Sequence, residues 1–246
     1  MRTLLFAQRT TKEVLRDPLT LIFGLGFPLI LIALLNIIDR NIPNEVGHMF
    51  PLTTLAPGMA VFGLSFMSLF SAMLVSKDRT TAFQTRLFTT PLTSGNFIFG
   101  YTLPLIPISL LQTIICYIFA LCLGMEFSWQ IFIAILCTIP SSYMFISLGL
   151  LFGTLLNDKA VGGICGTLMT NLTAWLSGIW FSLDLLGEGL KTFAYLLPFV
   201  HAVDMGKNAL SGDYNELLIN LCWVLGYTIV TTALAVIFFN KKMKVD

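Results

Sequence analysis

Residues 53–76 read TTLAPGMAVFGLSFMSLFSAMLVS and contain no Asp, Glu, Lys, Arg or His. As a helix rising 1.5 Å per residue, this stretch reaches about 36 Å, more than the roughly 30 Å hydrocarbon core of a bilayer. Five further stretches are equally free of charge: Leu19 to Ile38, Ile98 to Gly124, Ser128 to Leu156, Ala160 to Leu183 and Leu217 to Phe239. The pattern predicts an all-α membrane protein with six transmembrane helices. The missing charges also restrict mechanism. Proton relays and ion-coupled pumps place carboxylates or histidines inside the bilayer, and these spans supply none. Any work the chain performs is expected to draw on an outside energy source.

Composition agrees. Hydrophobic residues make up 56 % of the 246 and charged residues only 11 %, against about a quarter charged in soluble domains. Too little chain remains between spans for a soluble domain, so residues 1–246 read as one membrane domain. The net charge is +1, but its placement orients the chain. Eleven of the fourteen basic residues flank spans on one side, among them Arg2, Arg9, Lys12, Arg16, Lys77, Arg79, Arg86 and Lys159. Only Arg40, Lys191 and Lys207 fall on the other. The positive-inside rule then puts both termini in the cytoplasm of a multi-pass protein. No short apolar core with a small-residue cleavage site opens the chain, so the first span is expected to stay as an anchor.

Residues 1–17 predict an amphipathic interfacial helix. Leu4, Ala7, Thr11, Val14 and Leu15 share one face, and Arg9, Lys12 and Arg16 the opposite one, with Leu5 and Phe6 off the pattern. Such a helix suits the cytoplasmic membrane surface, basic side toward lipid phosphates; a plain positive flank is the alternative. Residues 77–97 form the longest cytoplasmic loop. Phe83 and Leu87 lie four apart and Arg79 and Arg86 seven apart, which allows a short helix ended by Pro91 and Ser94-Gly95. Its apolar residues suit a docking surface, and its composition also fits a solvated linker. Residues 184–216 hold an apolar piece too short to cross, divided by Pro198, which predicts a re-entrant or interfacial segment before the sixth span. Gly149-x-x-x-Gly153 and Gly162-x-x-x-Gly166 are expected to let helices of one subunit approach closely.

The sequence excludes most catalysis. Five cysteines all fall inside spans at no metal-ligand spacing and read as small apolar fillers. Gly95 to Gly100 has phosphate-loop spacing, but Tyr101 stands where the phosphate-binding lysine must be. His48 and His201 are the only histidines; His201, three residues before Asp204, reads as a solvated or capping loop residue. No catalytic residue and no metal site is assigned, and the chain is not expected to be an enzyme.

Four stretches, in order and on six spans, carry a resemblance. They are Arg16-Asp17-Pro18 with Phe27-Pro28; the run from Arg86 through Pro91 to Thr93, followed by Gly100; the run from Ser177-Gly178 to Asp184; and the run from Leu196 through Pro198 to His201, followed by Ala209-Leu210 and Gly212. With these the whole chain resembles the membrane subunit of ABC-2 type permeases, particularly bacterial drug-export permeases. The resemblance implies a cell-membrane location in bacteria and a first helix on the cytoplasmic face. It implies a coupling helix docking on a nucleotide-binding subunit through Phe83, Arg86, Leu87, Phe88, Thr90 and Pro91. It also implies short outer helices that dip into the membrane, and a pathway shared with a second permease subunit, identical or related. The chain itself would hold no cofactor; ATP and Mg would sit on the associated ATPase subunit. Membrane lipids are expected partners, and nucleic acid is not. Before the coupling segment only Asp78 supplies an acid, and the family's glycine there is missing.

The leading function is therefore the permease half of an ATP-driven exporter for drugs, antibiotics or other amphiphilic or lipid-like substrates. Met59, Phe62, Phe66 and Met67 on span two, with Asn171, Trp175 and Ser177 on span five, are candidates for a greasy, adaptable path. The alternatives are export of polysaccharide or lipid-linked glycan, a stand-alone transporter or channel, and a non-transporting membrane subunit.

Overall fold

A computed structural model describes residues 2–18, 22–43, 49–80 and 94–243. These residues are almost wholly helical and contain no strand. In chain order the elements are α1 (Arg2–Leu15), α2 (Ile22–Asn41, π-helical over Ile22–Gly26), α3 (Leu52–Thr80), α4 (Ser94–Cys122) and α5 (Gln130–Leu155). Then follow α6 (158–176), α7 (Gly187–Leu196), α8 (Pro198–Ser211) and α9 (Tyr214–Met243).

Among the described residues five helices, α2, α3, α4, α5 and α9, are long and apolar enough to cross a membrane. The predicted fifth span differs. Its helix stops at Leu176, because Ser177 leads into Gly178 at φ +69° and a left-handed residue cannot continue an α-helix. The run is also not a plain α-helix: Asp158–Val161 passes into π-helical Gly162–Met169 and returns to α-helix at Thr170–Leu176. Hydropathy alone carries no signal for that change of winding.

Helix α3 is the hub. It packs against α5, α4, α8, α2 and α6, and most of its length is enclosed. Its serines explain how a polar-looking helix can be central. Ser65, Ser68 and Ser71 recur every three residues, and each hydroxyl donates to the carbonyl three residues back, at 2.6, 2.8 and 3.1 Å. The donors are thus satisfied within their own helix, as an apolar interior demands. Their small volume then admits α5 at backbone range. A Cβ on Gly149 would fall 1.9 Å from Ser71 Oγ and 2.1 Å from the Ser68 carbonyl oxygen; one on Gly153 would fall 2.5 Å from the Ala72 carbonyl oxygen. The first small-residue pair therefore packs as the sequence predicts. The second does not: a Cβ on Gly162 would meet nothing within 4 Å, and one on Gly166 only Leu69 at 3.4 Å. The π-helical winding of this stretch changes the angular step on which the four-residue spacing argument depends.

The outer faces of α2 and α9 carry exposed Ile30, Leu34, Ile37, Ile229, Val230 and Ile237, as lipid-facing helices do. Between α6 and α9 the chain forms a 3-10 turn (Leu183–Leu186) and two short α-helices. The expected division at Pro198 is a helix start: Leu197 is extended and Pro198 occupies the first turn of α8, where a missing N–H costs nothing. Helix α8 packs on α9, α5 and α3.

Candidate coupling site

The two ends of the loop that joins α3 to α4 are gripped by one short helix. At the α3 end stands Asp78, 4 % exposed. Arg9 of α1 donates to it twice, Nη1 to Oδ2 at 2.9 Å and Nη2 to Oδ1 at 2.7 Å. At the α4 end the Tyr101 hydroxyl donates to Asp78 Oδ2 at 2.5 Å. The ring of Phe6 stands edge-on to Tyr101, with centroids 4.9 Å apart. Phe6 lies so close over Gly100 that a Cβ there would fall 2.0 Å from the ring. One carboxylate thus joins α1, α3 and α4 through three charge-assisted hydrogen bonds, which are shorter and stronger than neutral ones. The hydrogen-bonded Asp78 carboxylate raises the Arg9 guanidinium above its ordinary value, against the opposing effect of burial.

A second layer surrounds this centre. Glu13 lies 3.3 Å from Arg9 Nη2 and 3.4 Å from Lys77 Nζ. Next to Asp78 in sequence, Arg79 turns to α5, where Nη1 donates to the carbonyl oxygens of Gly153, Thr154 and Leu156 at 2.9, 2.6 and 3.0 Å. A cation there answers the carbonyls and the negative dipole end of that helix. Asn157 then accepts from the Ala160 amide at 3.0 Å and caps α6, giving a tight α5–α6 turn. A cleft of about 1100 Å³ opens between α1 and α3, lined by Arg9, Lys12, Glu13, Phe70, Met73 and Lys77 among others.

Several expectations shift here. Helix α1 forms over Arg2–Leu15, but among its residues from Phe6 onward the buried ones are Phe6, Ala7, Thr10 and Val14, while Leu15 is 54 % exposed. Phe6, off the sequence pattern, is the central contact, because its socket is a glycine 94 residues away. Arg9 turns inward to Asp78 rather than outward to lipid phosphates. Tyr101, noticed in the sequence only for not being lysine, is a member of the site. Phe83, Arg86, Leu87, Phe88, Thr90 and Pro91 lie outside the described residues.

The candidate path residues separate into two groups. Met59 and Met67 are fully enclosed, and Phe62 and Phe66 join an aromatic ladder with Phe27, Phe70 and Trp180, ring centroids 5.6–6.4 Å apart. Asn171 is exposed and donates to the Thr167 carbonyl at 2.8 Å; Trp175 is 57 % exposed beside Phe181. Ser177 is buried, its hydroxyl donating to the Thr173 carbonyl. His201 is not a solvated loop residue: it lies on α8, 5 % exposed, with both ring nitrogens hydrogen-bonded.

No group of three or more His, Cys, Asp or Glu side chains that could hold a metal occurs among the described residues, and their cysteines are free thiols. No curated protein matches the chain. The family model for the ABC-2 type transporter matches residues 1–210, which include α1, the Asp78 centre and all but the last residue of α8. The chain therefore belongs to the ABC-2 type transporter family, as a membrane permease component of an ABC transporter.

Proposed function

We propose that the chain is the membrane half of an ATP-driven exporter, and that residues 77–97 dock on a separate nucleotide-binding subunit. The observation that carries this reading is the Asp78 centre. A docking segment must hand its displacement to the transmembrane helices, and here both of its ends and α1 meet on one buried carboxylate. The run 158–176 makes the sixth crossing, which places both termini on the cytoplasmic side. A second permease subunit completes the pathway, with the exposed side chains of α6, Asn171 and Trp175, facing it. The charge-free stretch of α3 from Thr53 to Ser76 and its aromatic ladder favour an amphiphilic or lipid-like substrate, drugs and antibiotics included.

Reconstitution of the purified chain with an ABC ATPase subunit tests the reading. ATP-dependent movement of an amphiphilic substrate is the expected result, and flux without nucleotide or ATPase would overturn it. Leu87→Asp is expected to release the ATPase subunit, read by co-purification, while the membrane domain keeps its thermal stability. Undiminished co-purification with normal transport would refute the docking assignment.

A further inference from the structure

We propose that His201 is a proton-binding latch that fastens the two short helices α7 and α8 to α9 on the side of the membrane away from α1. The geometry assigns two donors to one imidazole. Nδ1 lies 2.6 Å from Asn220 Oδ1, and Nε2 lies 2.9 Å from the Tyr195 carbonyl oxygen. Tyr195 O belongs to the backbone and can only accept. The Asn220 amide is fixed in orientation, because its Nδ2 donates to the Glu216 carbonyl at 2.9 Å, which leaves Oδ1 toward the ring. A neutral imidazole carries one N–H; the imidazolium carries two. Only the protonated ring satisfies both contacts, and a neutral ring sets a nitrogen lone pair against an oxygen in a buried place.

The surroundings suit a cation. The Trp223 indole lies parallel to the ring, centroids 4.8 Å apart and planes 2° apart, which presents its negative face to the charge. On the same helix Asp204 faces the ring electrostatically and is also paired with Lys207 at 3.6 Å. From α7 the titratable neighbour is the Tyr195 hydroxyl, itself in contact with Asp204. From α9 the neighbours are Glu216, whose side chain is exposed, and Tyr227, whose hydroxyl donates to the Leu196 carbonyl at 2.5 Å. Pro57 of α3 and Phe145 of α5, which also touch α8, carry no ionisable group, α6 has none over Thr170–Leu176, and α4 brings the Tyr117 hydroxyl near Gly206.

The contacts span three helices: Tyr195 on α7, His201 on α8, Asn220 and Trp223 on α9. The second N–H exists only while the ring carries its extra proton, so acid closes the latch and rising pH releases it. The inference does not depend on the cargo or on the ATPase subunit.

With two histidines in the chain, ring carbons of ¹³C-histidine-labelled protein give two signals, and His48→Gln identifies that of His201. The test follows this signal from pH 5 to 9 in full-length protein in nanodiscs. Amide hydrogen exchange over 187–211, corrected for intrinsic rate, is followed in parallel. Expected is loss of protection of about tenfold or more, the scale of one hydrogen bond to a charged group, at the pH where the ring loses its proton. In His201→Gln the step should vanish. Asn220→Asp, which adds a charged acceptor, should move both transitions to higher pH together. A ring that stays neutral throughout, protection that ignores the ring's titration, or a step that survives in His201→Gln would overturn the proposal.

Discussion

Replacing Asp78 by asparagine keeps the volume and one acceptor oxygen but removes the charge and half of the paired contact to Arg9. A hydrogen bond to a charged partner contributes about 1.5–3 kcal/mol. The Arg9 side chain is 37 % exposed, so water screens part of that contribution. The expected loss for Asp78→Asn is therefore about 1–2 kcal/mol, or 5- to 30-fold in the ratio of docked to undocked α1. Asp78→Ala should cost more, about 2–4 kcal/mol, because the fully buried Tyr101 hydroxyl also loses its acceptor. Hydrogen exchange of residues 2–15 in nanodisc-embedded protein reads this directly. The order of protection should be wild type, then Asn, then Ala, with α5 and α9 unchanged. If α1 is protected equally in all three, the carboxylate does not hold it, and the reasoning from geometry to coupling fails.

Two glycines should respond in opposite directions. Gly149→Ala drives a methyl into the α3 backbone and should cost about 3 kcal/mol or more, whereas Gly226→Ala on α9 meets nothing and should gain about 0.5–1 kcal/mol; thermal unfolding in detergent compares them. Gly100→Val should evict Phe6 and expose α1 to protease without unfolding the bundle. The exposed Asp184–Lys191 clasp, 2.5 Å long, holds the Asp184 carboxyl below its ordinary range, through the Lys191 hydrogen bond first and that of Ser182 second. It should persist above about pH 4 and loosen as acid carries the solution through that depressed value. Asp184→Asn should leave the thermal midpoint unmoved, and a clear drop would contradict that.

The membrane helices were legible because desolvating a charge is so costly that its absence over twenty residues has few other meanings. What periodicity could not see were partners distant along the chain. Phe6 broke the amphipathic pattern of residues 1–17, yet Gly100 makes it the central contact of that helix. Asp78 was legible as the lone acid before the loop, but Arg9 and Tyr101 had to be brought to it by folding. Pro198 does divide the segment, but proline ends helices as readily as it starts them, and periodicity does not show that a helix begins there and carries His201. The change of winding in 158–176 left no trace in hydropathy, since hydropathy sums along the chain and is blind to the number of residues per turn.

Asp78 and Arg79 are consecutive, yet one clasps α1 and α4 while the other clasps α5. Anyone exchanging the docking segment with that of a relative should place the upstream splice after Arg79 and the downstream one before Gly100. A graft cut at Ser76 would import a foreign acid and a foreign arginine into sockets shaped by this chain's own helices, and the hybrid would lose its grip before its new partner ever reached it.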